Sequence, residues 1–63
     1  MIQIGDVVRY IRKSKKISCD ELATRSGIGL NTVKNIERGH NATLKSIESV
    51  LDVMGYELEI VEK

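Results

Sequence analysis

The chain lacks most of the devices that stabilise very small proteins. Its 63 residues include one cysteine and one histidine, and no proline, phenylalanine or tryptophan. Cys19 has no partner for a disulfide within the chain, and together with His40 it cannot supply the tetrahedral ligand set of a structural zinc site. We therefore expect no metal and no cofactor. Without phenylalanine or tryptophan, the core has to be built from aliphatic side chains.

Further absences bear on location and catalysis. No apolar run reaches the roughly 18 residues of a membrane-spanning helix, and residues 1–6 lack the apolar stretch of a signal peptide. We expect a cytoplasmic protein with no membrane partner, a location that suits a free thiol. A chain this short has little material for the walls of an enzyme cleft. It also lacks a nucleophile spaced with a base and a phosphate-binding loop, so we predict that it is not an enzyme.

The net charge of +1 conceals an uneven distribution. Residues 1–38 hold eight lysines and arginines against four acids, whereas residues 39–63 hold two against five. The first part can therefore meet a polyanion, and the second would repel one. Charge alone does not distinguish this pattern from an ordinary solvated surface.

Apolar spacing and capping residues predict the first two helices. Helix one, residues 4–15, carries an inward stripe of Ile4, Val7, Val8 and Ile11. Ser18 and Glu21 have the spacing of a capping box, in which each side chain bonds the other residue's backbone. Helix two therefore runs over residues 19–26 and ends at Gly27, a residue suited to the left-handed conformation.

Two further helices follow the same logic. Helix three runs from residue 30 to 38, with Val33 and Ile36 inward, and stops at Gly39. Thr43 is the N-cap of helix four, which ends at Gly55 and presents an apolar face of Leu44, Ile47, Val50, Leu51 and Met54.

The pattern changes after residue 55. Tyr56, Leu58 and Ile60 alternate with polar positions, which predicts a short C-terminal β-strand. A strand needs a partner for its backbone hydrogen bonds. Residues 1–4 are a weak candidate, and the same tail of a second copy is the stronger one. We therefore divide the chain into a domain at residues 1–55 and a dimerisation tail at 56–63, with Tyr56, Leu58 and Ile60 in the dimer interface.

Helices two and three have the requirements of a helix-turn-helix. Ala23 is small enough for a close helix crossing, Gly27 accepts the turn conformation, and Val33 and Ile36 anchor the second helix of the pair. In this motif that second helix enters the major groove of DNA.

Three segments at this point resemble a known family. They are S-C-D-E-L-A at 18–23, S-G-I at 26–28 and T-V-K-N-I-E-R-G at 32–39. These strings resemble the Cro/CI, or XRE, family of helix-turn-helix repressors, and the resemblance extends over roughly residues 4–55. It implies an all-α, lambda-repressor-like domain of four to five short helices, here followed by the predicted strand. The tail itself is similar to the strand that ends some repressor-antitoxins.

The resemblance also implies a function. Family members bind double-stranded DNA, usually as homodimers on palindromic operators. We expect a transcriptional repressor of bacterial or phage origin that is cytoplasmic and associated with the nucleoid. The positions that read bases in the family correspond here to Leu30, Asn31, Thr32, Lys34 and Asn35. Asparagine suits adenine, and lysine suits guanine. For Asn31 and Asn35 the alternative is a plain solvated surface.

Leu30 departs from the polar residue that is common in the family at this position. A leucine can offer only apolar contact, for instance to a thymine methyl. The alternative is that Leu30 packs under the turn or on a neighbouring subunit.

The resemblance places another group of residues along the DNA backbone: Ser18, Cys19, Arg38, His40 and Asn41. Cys19 stands where the family often has glutamine, and the backbone N–H groups at that helix start can still bind a phosphate. A redox-sensing thiol is the functional alternative for Cys19. The other residues can instead cap helices, make the turn or lie exposed.

Arg12 and Glu37 match family positions that form a structural ion pair between helices one and three.

Two other functions stay open beside repression. The first is an antitoxin that binds a toxin and its own operator. The second is a protein-interaction module whose DNA-binding face has decayed.

Overall fold

The computed structural model describes residues 3–63, which form four α-helices. They are α1 (Ile4–Ser14), α2 (Cys19–Ser26), α3 (Leu30–Arg38) and α4 (Leu44–Val53). The predicted helices agree with these bounds to within one residue or two. The possible fifth helix is not seen anywhere in residues 3–63. None of the four described helices is both long enough and apolar enough to cross a membrane.

Side-chain caps begin α2 and α4. The Ser18 hydroxyl accepts a hydrogen bond from the Glu21 backbone N–H at 3.0 Å, and Thr43 Oγ1 accepts one from the Ser46 N–H at 3.1 Å. The second half of the predicted capping box is replaced by a different contact. The Glu21 carboxylate pairs with Arg25, one turn further along α2, at 2.5 Å. The exposed guanidinium offers this carboxylate an ion pair that a backbone N–H cannot.

Left-handed residues end α2 and α3. Gly27 has φ 71° and Gly39 has φ 80°, as expected where a helix stops at glycine. After Gly39, the His40 N–H donates to the Asn35 carbonyl at 2.9 Å. Lys16, between α1 and α2, adopts φ 58° without being a glycine. That turn therefore carries backbone strain, because a Cβ disfavours the left-handed region.

The core is aliphatic, as the composition requires. It contains Val8, Ile11, Ile17, Leu22, Ala23, Val33, Ile36, Val50, Leu51 and Met54. Two residues predicted to face inward are exposed instead, Ile4 by 38% and Leu44 by 59%. Both are the first residue of their helix. At these positions the helix only begins to pack against the other helices.

Gly5 marks the closest approach of α1 to α3. A Cβ built on Gly5 would collide with the Ile36 carbonyl oxygen and lie 3.1 Å from that of Glu37. The missing side chain therefore lets the first turn of α1 rest directly on the last turn of α3. This contact helps to fix the direction of α3.

The predicted C-terminal strand is not seen. Residues 56–63 have no regular secondary structure, and no strand is present elsewhere in the part of the chain from residue 3 onward. Ile60 is 97% exposed and Val61 is 73% exposed. The physical reason is that residues 56–63 lie against no other extended backbone within residues 3–63. Of the alternative partner, residues 1–4, Met1 and Ile2 lie outside the described residues.

Candidate nucleic-acid interface

Helix α3 has a buried side and an open side. Val33, Ile36 and Glu37 are buried against the rest of the domain. Asn31 and Asn35, one turn apart, lie on the opposite side, the first exposed and the second half-buried. An amide carries both donors and acceptors, so the open side of α3 presents two groups able to read base edges.

The residues at the edges of this open side are less free. Leu30 is half-buried and packs against the core, as does Ile28 in the preceding turn. Thr32 is also half-buried. For Leu30, packing under the turn is the alternative that its contacts favour. The side chain holds the start of α3 in place.

The ion pair between Arg12 and Glu37 is present in the structure. Arg12 Nε donates to Glu37 Oε2 at 2.6 Å, and Nη2 donates to Oε1 at 3.1 Å. Nη1 donates to the Ile17 carbonyl at 2.9 Å. The hydrogen bond to Glu37 raises the pKa of Arg12 above its ordinary value. One guanidinium thus joins α1, the turn before α2, and α3.

Cys19 lies over this ion pair. Its Sγ is 4.0 Å from each carboxylate oxygen of Glu37, and its side chain is half-buried against the core. Ser18 is exposed, and its hydroxyl is engaged as the cap of α2. At the other end of α3, Arg38, His40 and Asn41 are all exposed. Both ends of the helix-turn-helix therefore carry polar groups at the surface.

A small cavity of about 180 Å³ opens where α1, α2 and α3 meet. Lys34 and Arg38 of α3 line it, and so does Arg9 of α1. Arg9 is not among the DNA-contacting residues predicted from the sequence, which lie at the start of helix two, in helix three and in the loop after it. Its signal was faint: a cation next to the buried Val8, without a recognisable motif.

Within residues 3–63, no three histidine, cysteine, aspartate or glutamate side chains come together as metal ligands would.

Comparisons with known proteins agree with this geometry. Residues 8–61 match the helix-turn-helix family. A candidate HTH-type transcriptional regulatory protein of Methanocella arvoryzae is 37% identical over an alignment of 51 residues, and the alignment covers 76% of this chain and 16% of that protein. An uncharacterized HTH-type transcriptional regulator of Sinorhizobium fredii is 34% identical over an alignment of 59 residues, and the alignment covers 92% of this chain and 78% of that protein. The chain belongs to the Cro/CI-type helix-turn-helix family of DNA-binding domains.

Proposed function

We propose that this protein is a transcriptional repressor that binds a palindromic operator as a homodimer, in the cytoplasm and on the nucleoid. The observation that carries the proposal is the two-sided build of α3. Asn31 and Asn35 lie on its open side, while Val33 and Ile36 hold its other side in the core. Each protomer would insert α3 into one major groove, with half-sites about 34–36 Å apart or a multiple of that distance.

The residues of the interface divide by role. Asn31, Thr32 and Asn35 are proposed to read base edges, and Leu30 to position the start of α3 or contact a thymine methyl. The second group is proposed to bind phosphates, which orient the protein without reading sequence. This group contains Arg38, His40 and Asn41, together with Ser18 and Cys19 at the start of α2. Lys34 joins it in place of the guanine contact expected from the sequence, because it lines the same cavity as Arg38.

The tail is proposed to pair with the tail of a second copy as an antiparallel ribbon. Tyr56 and Leu58 are 50% and 39% exposed, and Ile60 is almost fully exposed. A two-fold pairing centred on Leu58 puts Tyr56 opposite the partner's Ile60 and gathers all three on one face. The same register puts Glu57 opposite the partner's Glu59, and like charges directly opposite weaken a pair of strands.

This register can be tested by measuring the molar mass of two tail variants in solution across a range of concentrations. Leu58→Lys should shift the equilibrium toward monomer, because it places charge in the apolar face. Glu57→Lys should strengthen the dimer, because a cation then faces Glu59. An unchanged dimer mass in Leu58→Lys would exclude the ribbon. A weaker dimer in Glu57→Lys would exclude the register.

The proposed function as a whole is tested by selection from randomised DNA duplexes at about 150 mM salt, where nonspecific phosphate binding is weak. Enrichment of an inverted repeat is the expected result, and its spacing reports the dimer geometry. Enrichment of a single half-site would retain DNA binding and discard the homodimer. No enrichment from a folded sample would point to a protein-interaction module instead.

Two substitutions separate the roles within the interface. Asn31→Ala should cost about 1–3 kcal/mol of binding free energy and relax the preference at particular base pairs. Arg38→Ala should weaken binding to all sequences alike and flatten the salt dependence by about one unit of slope. The opposite pattern would mean that the two residues have each other's roles.

A second candidate function is an antitoxin that also binds its own operator. The exposed apolar side chains of the tail, Ile60 and Val61 above all, would then contact a toxin rather than a second copy. Co-purification of one stoichiometric partner, lost on truncation at residue 55, would support this function over simple repression.

A further inference from the structure

The cavity between α1, α2 and α3 has an unusual charge balance. Its walls carry four cationic side chains and a single carboxylate, from the residues Arg9, Arg12, Cys19, Lys34, Glu37 and Arg38. Its volume is about 180 Å³, and it is open to solvent, so a ligand can enter it directly.

The carboxylate does not neutralise this cavity. Both oxygens of Glu37 already accept hydrogen bonds from Arg12, at 2.6 and 3.1 Å. Arg9 Nε lies 3.5 Å from Oε1, at the outer limit of a hydrogen bond, and the Arg9 side chain is half exposed. In the chain from residue 3 onward, Lys34 and Arg38 form no ion pair. Three cations therefore have donors to spare beside a carboxylate that is already engaged.

We propose that this cavity is an oxyanion site that takes one phosphate group, with Arg9 as a phosphate-binding residue. The inference rests on the proposed function, and in the complex the phosphate belongs to the backbone of the duplex. Continuity supports this source of the phosphate. Cys19, Lys34 and Arg38 line the cavity and also belong to the proposed DNA interface. A DNA strand bound along that interface would therefore pass the mouth of the cavity.

The two arginines of α1, Arg9 and Arg12, have different roles because they differ in burial. Arg12 is 12% exposed, and its three nitrogens are bound to Glu37 and to the Ile17 carbonyl. It cannot turn toward a ligand without breaking the link between α1 and α3. Arg9 has one long contact and a half-exposed side chain, so its guanidinium can rotate onto a phosphate. A planar fork of donors suits that group better than a point charge does.

The test on DNA uses Arg9→Gln, with Arg9→Lys and Lys45→Gln as controls. Loss of one phosphate contact should reduce the slope of log K against log salt by about 0.9, equally on specific and nonspecific duplexes. Arg9→Lys keeps the cation and should retain most of the slope. Lys45→Gln removes a lysine of α4 that does not line the cavity and should leave the slope unchanged. Because the Arg9 side chain is half exposed, we expect the Arg9 variants to fold, and circular dichroism checks this.

A second measurement separates this inference from the proposed function. Inorganic phosphate is added to the DNA-free protein, and amide shifts are followed by NMR. We expect a saturable shift at the Cys19 amide that is absent in Arg9→Gln. If the protein binds DNA but Arg9→Gln keeps the full salt slope, the inference is wrong and the proposed function stands. If the protein binds no duplex, the proposed function fails. A phosphate shift that depends on Arg9 would then identify free phosphate as the source, and no shift would overturn the site.

Discussion

Removal of either partner from the Arg12–Glu37 pair should cost this domain a large share of its stability. The side chains are 12% and 3% exposed, so truncating one leaves the other charged and buried. Such a loss typically amounts to about 3–5 kcal/mol. A chain of 63 residues has only about 3–9 kcal/mol of total stability, at the usual values per residue. Arg12→Met and Glu37→Leu should each lower the urea midpoint by a third or more.

The double variant should be more stable than the sum of these losses implies. Neither charge is then left without its partner, and two apolar side chains of similar volume fill the site. One cost persists, because Arg12 also donates to the carbonyl of the buried Ile17. An unpaired buried carbonyl costs about 1–3 kcal/mol. We therefore expect the double variant to lie below the wild type, with the single losses exceeding the double loss by about 2 kcal/mol or more.

The assay is urea unfolding of the four proteins, followed by circular dichroism. A fixed concentration of a stabilising osmolyte keeps the weakest variant within range. The Arg25–Glu21 pair on α2 is the matched control, because its side chains are 57% and 41% exposed. Its coupling should be only about 0.3–0.5 kcal/mol. Additive losses at Arg12 and Glu37, within about 0.5 kcal/mol, would refute the reasoning.

Two backbone positions give further predictions. Gly5→Ala should lower the melting temperature, because the new methyl collides with the Ile36 carbonyl and overpacking costs about 1–3 kcal/mol. This cost exceeds the gain of about 1 kcal/mol that alanine brings as the better helix former. A higher melting temperature would mean that α1 moves aside freely. Lys16→Gly should raise the melting temperature by relieving the left-handed strain at φ 58°. Lys15→Gly, at a position with φ −90°, should lower it. Equal effects at both lysines would contradict the assignment of strain to Lys16.

Several helix ends could be predicted from the sequence because neighbouring residues determine them. Ser18 and Thr43 are caps that bond a backbone N–H three residues away, and Gly27 and Gly39 supply the left-handed turns. These signals operate over a few neighbouring residues, so a single sequence contains them in full. Ile4 and Leu44 were misplaced because apolar spacing gives the face of a helix without telling where along its length the core begins.

The rest of the site depends on contacts between distant residues. Arg12 and Glu37 are 25 positions apart, and only the family resemblance connected them. Nothing in the local pattern around Arg9 indicated that its guanidinium would meet α3. The prediction of a strand in the tail fails for a related reason. Alternation at Tyr56, Leu58 and Ile60 records which side chains would share a face of a strand, but a strand forms only where another backbone pairs with it.

The three sides of α3 differ in what they contact, so a substitution on one side need not affect the others. The core side, Val33 and Ile36, sets the stability of the fold, and the flank with Lys34 and Arg38 is proposed to set affinity through phosphates. The open side, with Asn31 and Asn35, makes no side-chain hydrogen bond within residues 3–63. Substitutions there should change stability by no more than about 0.5 kcal/mol, as is usual for surface positions without special contacts. On the proposed function, operator preference can therefore be altered at the exposed Asn31 without loss of the folded domain, whereas Leu30 packs against the core and ties specificity to packing.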